Sequence, residues 1–185
     1  MKLYHGTNTN IDEDFLKPHN PFPERDDYKN SIYMTDELLI ALLYSINPLK
    51  IYFKDIAPEK IHPFSKQFDV LNYKTPHLFE LYEGMFDEVY NRGSYVYIAE
   101  INDQKYTKDG HQYIFEEPVK INQKVYYENI FNELLKYQKE NKLKIIYYKE
   151  FKQRYEKDDI LDSVKYLYKH CNDYEKEFFH KKFNI

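Results

Sequence analysis

Apolar residues recur in short alternating runs along most of this chain, and helical spacing appears only between those runs. Runs rich in β-branched and aromatic residues predict strands at residues 3–5, 31–34, 49–53, 94–101, 111–115, 119–125 and 143–148. Helical spacing predicts helices at residues 38–46, 78–90 and 128–137, and a last helix that begins at Asp158. The pattern therefore predicts an α+β fold of short strands and scattered helices.

Capping and turn residues sharpen these boundaries. Asp36 is the predicted N-cap of the first helix, because its carboxylate can accept a hydrogen bond from a free backbone N–H of the first turn. Asp109 and Gly110 predict a tight turn between two strands. Two polar stretches that contain prolines, residues 8–30 and 54–77, are predicted to be loops.

The length of 185 residues suits one domain with an appended segment. Residues 1–127 hold most of the predicted strands and form the predicted main domain. Residues 128–185 are mostly helical by pattern, and we expect them to pack on that domain as a C-terminal extension. These C-terminal helices are the expected binding surface for a partner protein.

Composition narrows the classes of partner. The formal net charge of −4 lacks the basic excess typical of nucleic-acid-binding domains. The single cysteine, Cys171, excludes an intramolecular disulfide and favours a reducing, cytoplasmic compartment. No apolar run approaches the roughly 18 residues of a membrane span. The histidines also lack the spacing of a metal site, so the sequence predicts neither a membrane nor a metal partner.

The first predicted strand ends in a histidine, and a glycine and a small hydroxyl residue follow it directly, as His5, Gly6 and Thr7. Glycine lets a ligand approach the backbone closely, and an imidazole can hydrogen-bond a sugar hydroxyl. Tyr33 on the second strand and Tyr44 on the next helix offer flat rings to a planar heterocycle. The alternative to ligand binding is a structural role for these residues. The histidine would then make its hydrogen bonds within a turn, and the two tyrosines would pack in the core.

These motifs, in this order, resemble the ADP-ribosyltransferase superfamily, in its diphtheria-toxin/PARP-like branch with a His–Tyr–Glu signature. Tyr4-His5-Gly6-Thr7 is similar to the first motif of that branch. Ser31-Ile32-Tyr33-Met34-Thr35, followed by Tyr44, is similar to the second motif. Residues 94–97 are similar to its tyrosine-rich strand, and Gln112-Tyr113-Ile114-Phe115 stands at the third motif. The resemblance covers residues 1–125.

The resemblance implies a split β-sheet core of short strands with flanking helices, and NAD as a substrate. By this resemblance, Tyr33 and Tyr44 would stack on the nicotinamide ring, and residues 8–30 would cover or flank the dinucleotide. His5 would hold the ribose on the adenosine side, and Thr7 would lie near a ribose. Backbone groups of Gly6 would bind the nicotinamide carboxamide.

The sequence departs from the family pattern at two positions. Gln112 replaces the glutamate that orients the nicotinamide ribose and stabilises oxocarbenium character, and an amide carries no charge for that purpose. Ala41 stands where many relatives carry a serine that hydrogen-bonds the carboxamide. Glu116 or Glu117 would substitute for the missing carboxylate if the strand were bulged or shifted. The alternative is that both are ordinary acidic residues on the surface.

Three functions remain open at the level of sequence. The first is an NAD-dependent mono-ADP-ribosyltransferase with His5, Tyr33 and Gln112 at the reacting centre, which transfers ADP-ribose to a protein or nucleic-acid acceptor and releases nicotinamide. The second is a catalytically inactive module that binds NAD. The third is a protein-interaction module that binds no NAD. Small transferases of this kind suit a toxin or a phage–host conflict, by analogy alone.

Overall fold

The computed structural model describes residues 1–20, 30–46, 68–70, 73–155, 168–169 and 173–183. Its strands are β1 (Lys2–Thr7), β2 (Phe15–Leu16), β3 (Ile32–Met34), β4 (Phe68–Asp69), β5 (His77–Phe79), β6 (Ser94–Glu100), β7 (Thr107–Asp109), β8 (Gln112–Phe115), β9 (Val119–Lys120), β10 (Gln123–Tyr127) and β11 (Lys144–Ile146). Its helices are α1 (Leu38–Tyr44), α2 (Ile130–Lys139), α3 (Tyr148–Tyr155) and α4 (Asp173–Phe183), with a π-helical turn at Phe86–Tyr90. The α+β class is confirmed. The predicted strand at 49–53 and the predicted helix start at 158 lie outside the described residues.

β6 is the central strand of an antiparallel sheet in the order β1-β6-β10. Its tyrosine-rich sequence places Tyr97 opposite His5 and Tyr95 opposite Thr7. The strands predicted at 3–5 and 94–101 are confirmed, and the predicted extended segment at 119–125 becomes the two strands β9 and β10. The histidine of the first motif therefore lies on a strand whose position is fixed by a long-range pairing.

β8 is the central strand of a second antiparallel sheet, in the order β3-β8-β7. The β7–β8 hairpin turns at Gly110, whose φ of 54° is accessible to glycine without strain. Alternate residues of β3 and β8 face opposite ways. The buried face holds Ile32, Met34, Tyr113 and Phe115, and the less buried face holds Tyr33, Gln112 and Ile114. Tyr33 of the second motif and Gln112 of the third therefore share one face.

One hydrophobic core joins these two sheets. It contains the buried residues Leu3, Leu16, Ile32, Met34, Tyr97, Ala99, Ile101, Tyr113, Phe115 and Val119. Leu16 belongs to β2, which pairs with β9 inside the stretch predicted to be a loop. That prediction is therefore wrong at Phe15–Leu16, where burial of one leucine and pairing with a distant strand outweigh the polar local sequence.

The two sheets meet at a single backbone bridge. Tyr4 of β1 and Thr35, which follows β3, exchange both backbone hydrogen bonds, with N–O distances of 2.7 and 2.9 Å. Within the described residues, no other bridge joins β1 to this second sheet. We call the strand edges beyond this bridge, at Gly6 on β1 and at Tyr33 on β3, the sheet split.

Helix α1 rests directly on β1. A Cβ added to Gly6 would lie 1.8 Å from the backbone oxygen of Ala41 and 2.9 Å from Cβ of Ser45. Only glycine therefore permits this approach of helix to strand. The prediction of Asp36 as N-cap is wrong: Glu37 takes that position without a side-chain cap, and Asp36 instead accepts a hydrogen bond from Tyr113 Oη at 2.9 Å.

The prediction of a helix at residues 78–90 is wrong for the first part of that range. His77–Phe79 is strand β5, which pairs in parallel with β11 and antiparallel with β4. Only Phe86–Tyr90 is helical, as a π-helical turn. The buried carboxylate of Glu80 accepts hydrogen bonds from backbone N–H groups of Gly84 and Tyr148, at 3.0 and 2.8 Å. The conformation of this segment is determined by its pairing with a strand more than 60 residues away, and local periodicity does not contain that information.

The chain divides into two compact units. The first comprises residues 1–47 and 91–134, and the second comprises residues 48–90 and 135–185. The boundary at 127/128 stays a prediction; the compact units are composed differently, because residues 48–90 group with the C-terminal segment. None of the helices in the described ranges combines the length and apolar character that crossing a membrane requires.

Candidate functional site

His5 is held by the strand on the other side of the sheet split. Its Nδ1 lies 2.8 Å from the backbone oxygen of Tyr33. A carbonyl oxygen only accepts, so Nδ1 carries the proton, and Nε2 of the neutral ring is an acceptor. Burial lowers the pKa of His5, the bond to Tyr33 opposes that shift, and the nearby charge of His19 lowers the pKa further. His5 is therefore neutral at pH 7 and offers one acceptor nitrogen.

The backbone of Gly6 faces the sheet split. In an antiparallel pair, backbone groups of alternate residues point to opposite strand edges. Tyr4 directs its N–H and C=O away from β6, toward Thr35. Gly6, two residues later, directs its own N–H and C=O to the same edge. This position offers a donor and an acceptor side by side, which matches the hydrogen-bonding groups of a carboxamide.

Tyr44 and Gln112 are brought together from positions 68 residues apart in sequence. Gln112 Nε2 donates to Tyr44 Oη at 3.3 Å. Tyr44 ends α1 with its side chain 46% exposed, yet burial of the hydroxyl still raises its pKa, against the lowering effect of the Gln112 bond. Tyr44, one of the two tyrosines that the resemblance places at the nicotinamide ring, is therefore in direct contact with Gln112.

Thr7 and Ala41 have structural contacts of their own. Thr7 Oγ1 accepts a hydrogen bond from the N–H of Thr9 at 3.1 Å, which turns the chain after β1. The Ala41 side chain is buried, and its carbonyl oxygen is the atom that faces Gly6. Position 41 thus lies beside the Gly6 backbone, and its alanine side chain carries no hydroxyl.

Glu116 and Glu117 do not lie beside Gln112. Both are exposed and follow β8, while Gln112 begins that strand. A strand advances about 3.3 Å per residue, so Glu116 lies roughly 13 Å from Gln112 along the chain. The strand is paired in register with β3 without a bulge. Neither glutamate takes the place of the family carboxylate in this arrangement.

Sequence reasoning missed Ser94. This fully buried residue begins β6, and its Oγ lies 2.8 Å from the Thr7 carbonyl oxygen and 3.0 Å from that of Ser45. It therefore contacts the segments that carry Gly6 and Tyr44. A serine ahead of an apolar strand gives no distinctive signal, because its partners are 87 and 49 residues away.

Sequence reasoning also missed how the chain after Thr7 is fixed. The hydroxyl of Tyr97 accepts a hydrogen bond from the N–H of Ile11 at 2.6 Å and lies 3.3 Å from the Thr9 carbonyl oxygen. Lys124 Nζ bonds the Ile11 carbonyl oxygen and pairs with Asp12 at 2.9 Å. Residues 9–12 are therefore fastened to the first sheet. In a chain with 21 tyrosines, no local feature singles out Tyr97.

A second network ties the β7–β8 hairpin to the start of α1. Lys108 Nζ donates to Tyr113 Oη at 2.9 Å, and that hydroxyl donates to Asp36. His111 lies 3.4 Å from a Glu37 carboxylate oxygen. These contacts fix the strand that presents Gln112 against the helix that presents Tyr44. In the described part of the chain, no three His, Cys, Asp or Glu side chains form a group that could hold a metal ion.

No protein-family model, curated protein or solved structure matches the chain.

Proposed function

We propose that this chain binds NAD at the sheet split, has the split-sheet fold of the ADP-ribosyltransferase superfamily, and acts as a mono-ADP-ribosyltransferase. The observation that carries the proposal is the convergence of three distant motifs within one compact unit. His5 bonds Tyr33 across the split, and Gln112 bonds Tyr44. The Tyr4–Thr35 bridge, which is the only one between the two three-stranded sheets among the described residues, supports the same fold.

In this proposal the binding groups are already oriented before the ligand arrives. The free Nε2 of His5 accepts a hydrogen bond from a ribose hydroxyl, because Nδ1 is already committed to Tyr33. The N–H and C=O of Gly6 pair with the nicotinamide carboxamide. The rings of Tyr33 and Tyr44 supply the planar surfaces for the pyridinium ring.

The proposed reaction breaks the bond between the nicotinamide nitrogen and C1′ of its ribose. Nicotinamide leaves with the bonding electrons, the acceptor forms the new bond to C1′, and the acceptor loses its proton to solvent. Gln112 orients a ribose hydroxyl by hydrogen bonding but supplies no negative charge to the positive transition state. A slow transfer of single ADP-ribose units is therefore the expected activity.

A catalytically inactive NAD-binding or protein-interaction module is the second candidate, and one observation favours it. The amide of Gln112 is already bonded to Tyr44, and no carboxylate replaces it from Glu116 or Glu117. Such a protein would keep the binding groups of β1 and act through binding alone.

The acceptor, the partners and the compartment belong to the proposal as well. We place the protein in the cytoplasm, where NAD and reduced cysteine are available. A protein or a nucleic acid is the proposed acceptor class. Residues 128–185 are the proposed surface for partner recognition.

The test is a calorimetric titration of NAD into the wild-type protein and into His5→Ala, with nicotinamide assayed in the same samples. We expect His5→Ala to weaken binding about tenfold, as loss of one hydrogen bond predicts. His180→Ala is the control, because it removes an exposed imidazole from the other compact unit, and its NAD affinity should stay within about twofold of wild type. Nicotinamide released by wild type indicates the transferase, and binding without release indicates the inactive module. No binding at millimolar NAD contradicts the transferase and the NAD-binding module, and it leaves the protein-interaction module.

A further inference from the structure

Ser94 joins the two chain segments that border the sheet split. Its side chain is completely buried, and its single hydroxyl proton faces two carbonyl oxygens, from Thr7 at 2.8 Å and Ser45 at 3.0 Å. A hydroxyl has one proton to donate. The two carbonyl groups therefore share one donor, and each depends on the same oxygen for its place.

The two carbonyls sit next to the groups proposed to hold nicotinamide. Thr7 follows Gly6 directly at the end of β1, and Ser45 follows Tyr44 directly at the end of α1. One turn earlier, the Ala41 carbonyl approaches Gly6. Helix and strand are thus held at two points, a steric contact at Gly6 and a hydrogen-bonded contact at Ser94.

These two contacts differ in what they control. The Gly6 contact limits how closely α1 can approach β1. The Ser94 hydroxyl limits how far the two ends can separate, because its loss removes the donor that the two carbonyl oxygens share and leaves this buried contact unmade. Separation there would move the Tyr44 ring away from the Gly6 backbone.

We infer that Ser94 is a positioning residue, which sets the distance between the backbone groups of Gly6 and the ring of Tyr44. The inference rests on the proposed function, since it assigns Ser94 to the nicotinamide end of that site. Ser94 touches no proposed ligand atom and acts only through Thr7 and Ser45.

The test compares Ser94→Ala with Ser45→Ala. Ser45 is equally buried, and its hydroxyl donates to the Leu42 carbonyl of the preceding helix at 2.7 Å. Removal of this hydroxyl therefore breaks a local bond and no bond between helix and strand. We expect both variants to lower the thermal midpoint. Only Ser94→Ala should weaken NAD binding, by about tenfold when measured well below either midpoint. Ser94→Thr, which keeps the hydroxyl, should restore most of the affinity.

A second readout needs no ligand. Selective 15N labelling of glycine gives only four backbone signals, from Gly6, Gly84, Gly93 and Gly110. Ser94→Ala should shift the Gly6 signal and speed its amide exchange, while Gly84 and Gly110 remain unchanged as internal references.

The outcomes separate the two proposals. Wild type that binds NAD, with equal affinities in Ser94→Ala and Ser45→Ala, overturns the role of Ser94 and leaves the proposed function standing. An unchanged Gly6 signal in Ser94→Ala overturns the positioning role as well. Wild type that binds no NAD overturns the proposed function, and the inference falls with it.

Discussion

The two ends of the sheet split are built from different kinds of contact. At the His5 end, an imidazole is bonded to the backbone of Tyr33, and burial keeps the ring neutral. At the Gln112 end, an amide is bonded to another side chain, the half-exposed Tyr44. The His5 contact does not depend on which side chain stands at position 33, because its acceptor is backbone, whereas the Gln112–Tyr44 contact is lost with substitution of either partner. The end proposed for binding is therefore fixed by the fold, and the end proposed for chemistry is open to change.

The largest effect on stability is expected from Gly6→Ala, which changes the residue next to His5 at the end proposed for binding. The new Cβ would meet the backbone oxygen of Ala41, which cannot rotate away as a side chain would. We expect a loss of about 3 kcal/mol in the free energy of unfolding, measured by urea denaturation. Ala41→Gly should not rescue this loss, because the clashing atom belongs to the backbone. A Gly6→Ala protein as stable as wild type would contradict the close contact between α1 and β1.

Gln112→Glu changes the end proposed for chemistry. It introduces the carboxylate that the ADP-ribosyltransferase motif carries at this position. We expect nicotinamide release to rise by roughly 100-fold, about 2.7 kcal/mol, because a placed carboxylate stabilises positive charge that develops at the ribose. NAD affinity should change little. Gln104→Glu is the matched control, because it adds the same charge elsewhere in the same unit, where Gln104 bonds the Pro118 carbonyl. Equal rates in all three proteins would indicate an inactive module whose defect is not confined to Gln112.

The smallest effect near neutral pH is expected from titration of His5. The lowered pKa of His5 means that the unfolded chain binds this proton more readily than the folded one, so stability from this group is complete above pH 6.5 and falls as pH drops through the lower folded pKa. Protonation also converts Nε2 from acceptor to donor. We therefore expect NAD affinity to fall as the pH drops through this lowered folded pKa, measured by calorimetry at a series of pH values from 7 downward. His5→Ala should show a weaker dependence, and an identical profile would exclude His5 as the titrating group.

Much of the first compact unit was accessible from the sequence. The strands carrying His5, Tyr33 and Gln112 were predicted within a few residues, because alternation and turn residues are local signals. The contacts between Tyr44 and Gln112 and between His5 and Tyr33 came only with the structure. The second unit was less accessible: a run of apolar residues at helical spacing became strand β5, because its parallel partner β11 lies far along the chain.

The sequence by itself determined the α+β class, the order of the three motifs and the absence of a carboxylate at position 112. It did so because strand alternation, turn residues and side-chain charge are properties of a residue and its near neighbours. Only the tertiary structure decided the tautomer of His5, the direction of the Gly6 backbone groups and the place of Ser94 between two segments. Those depend on hydrogen bonds between residues 28 to 87 positions apart, which form only when folding brings distant segments together.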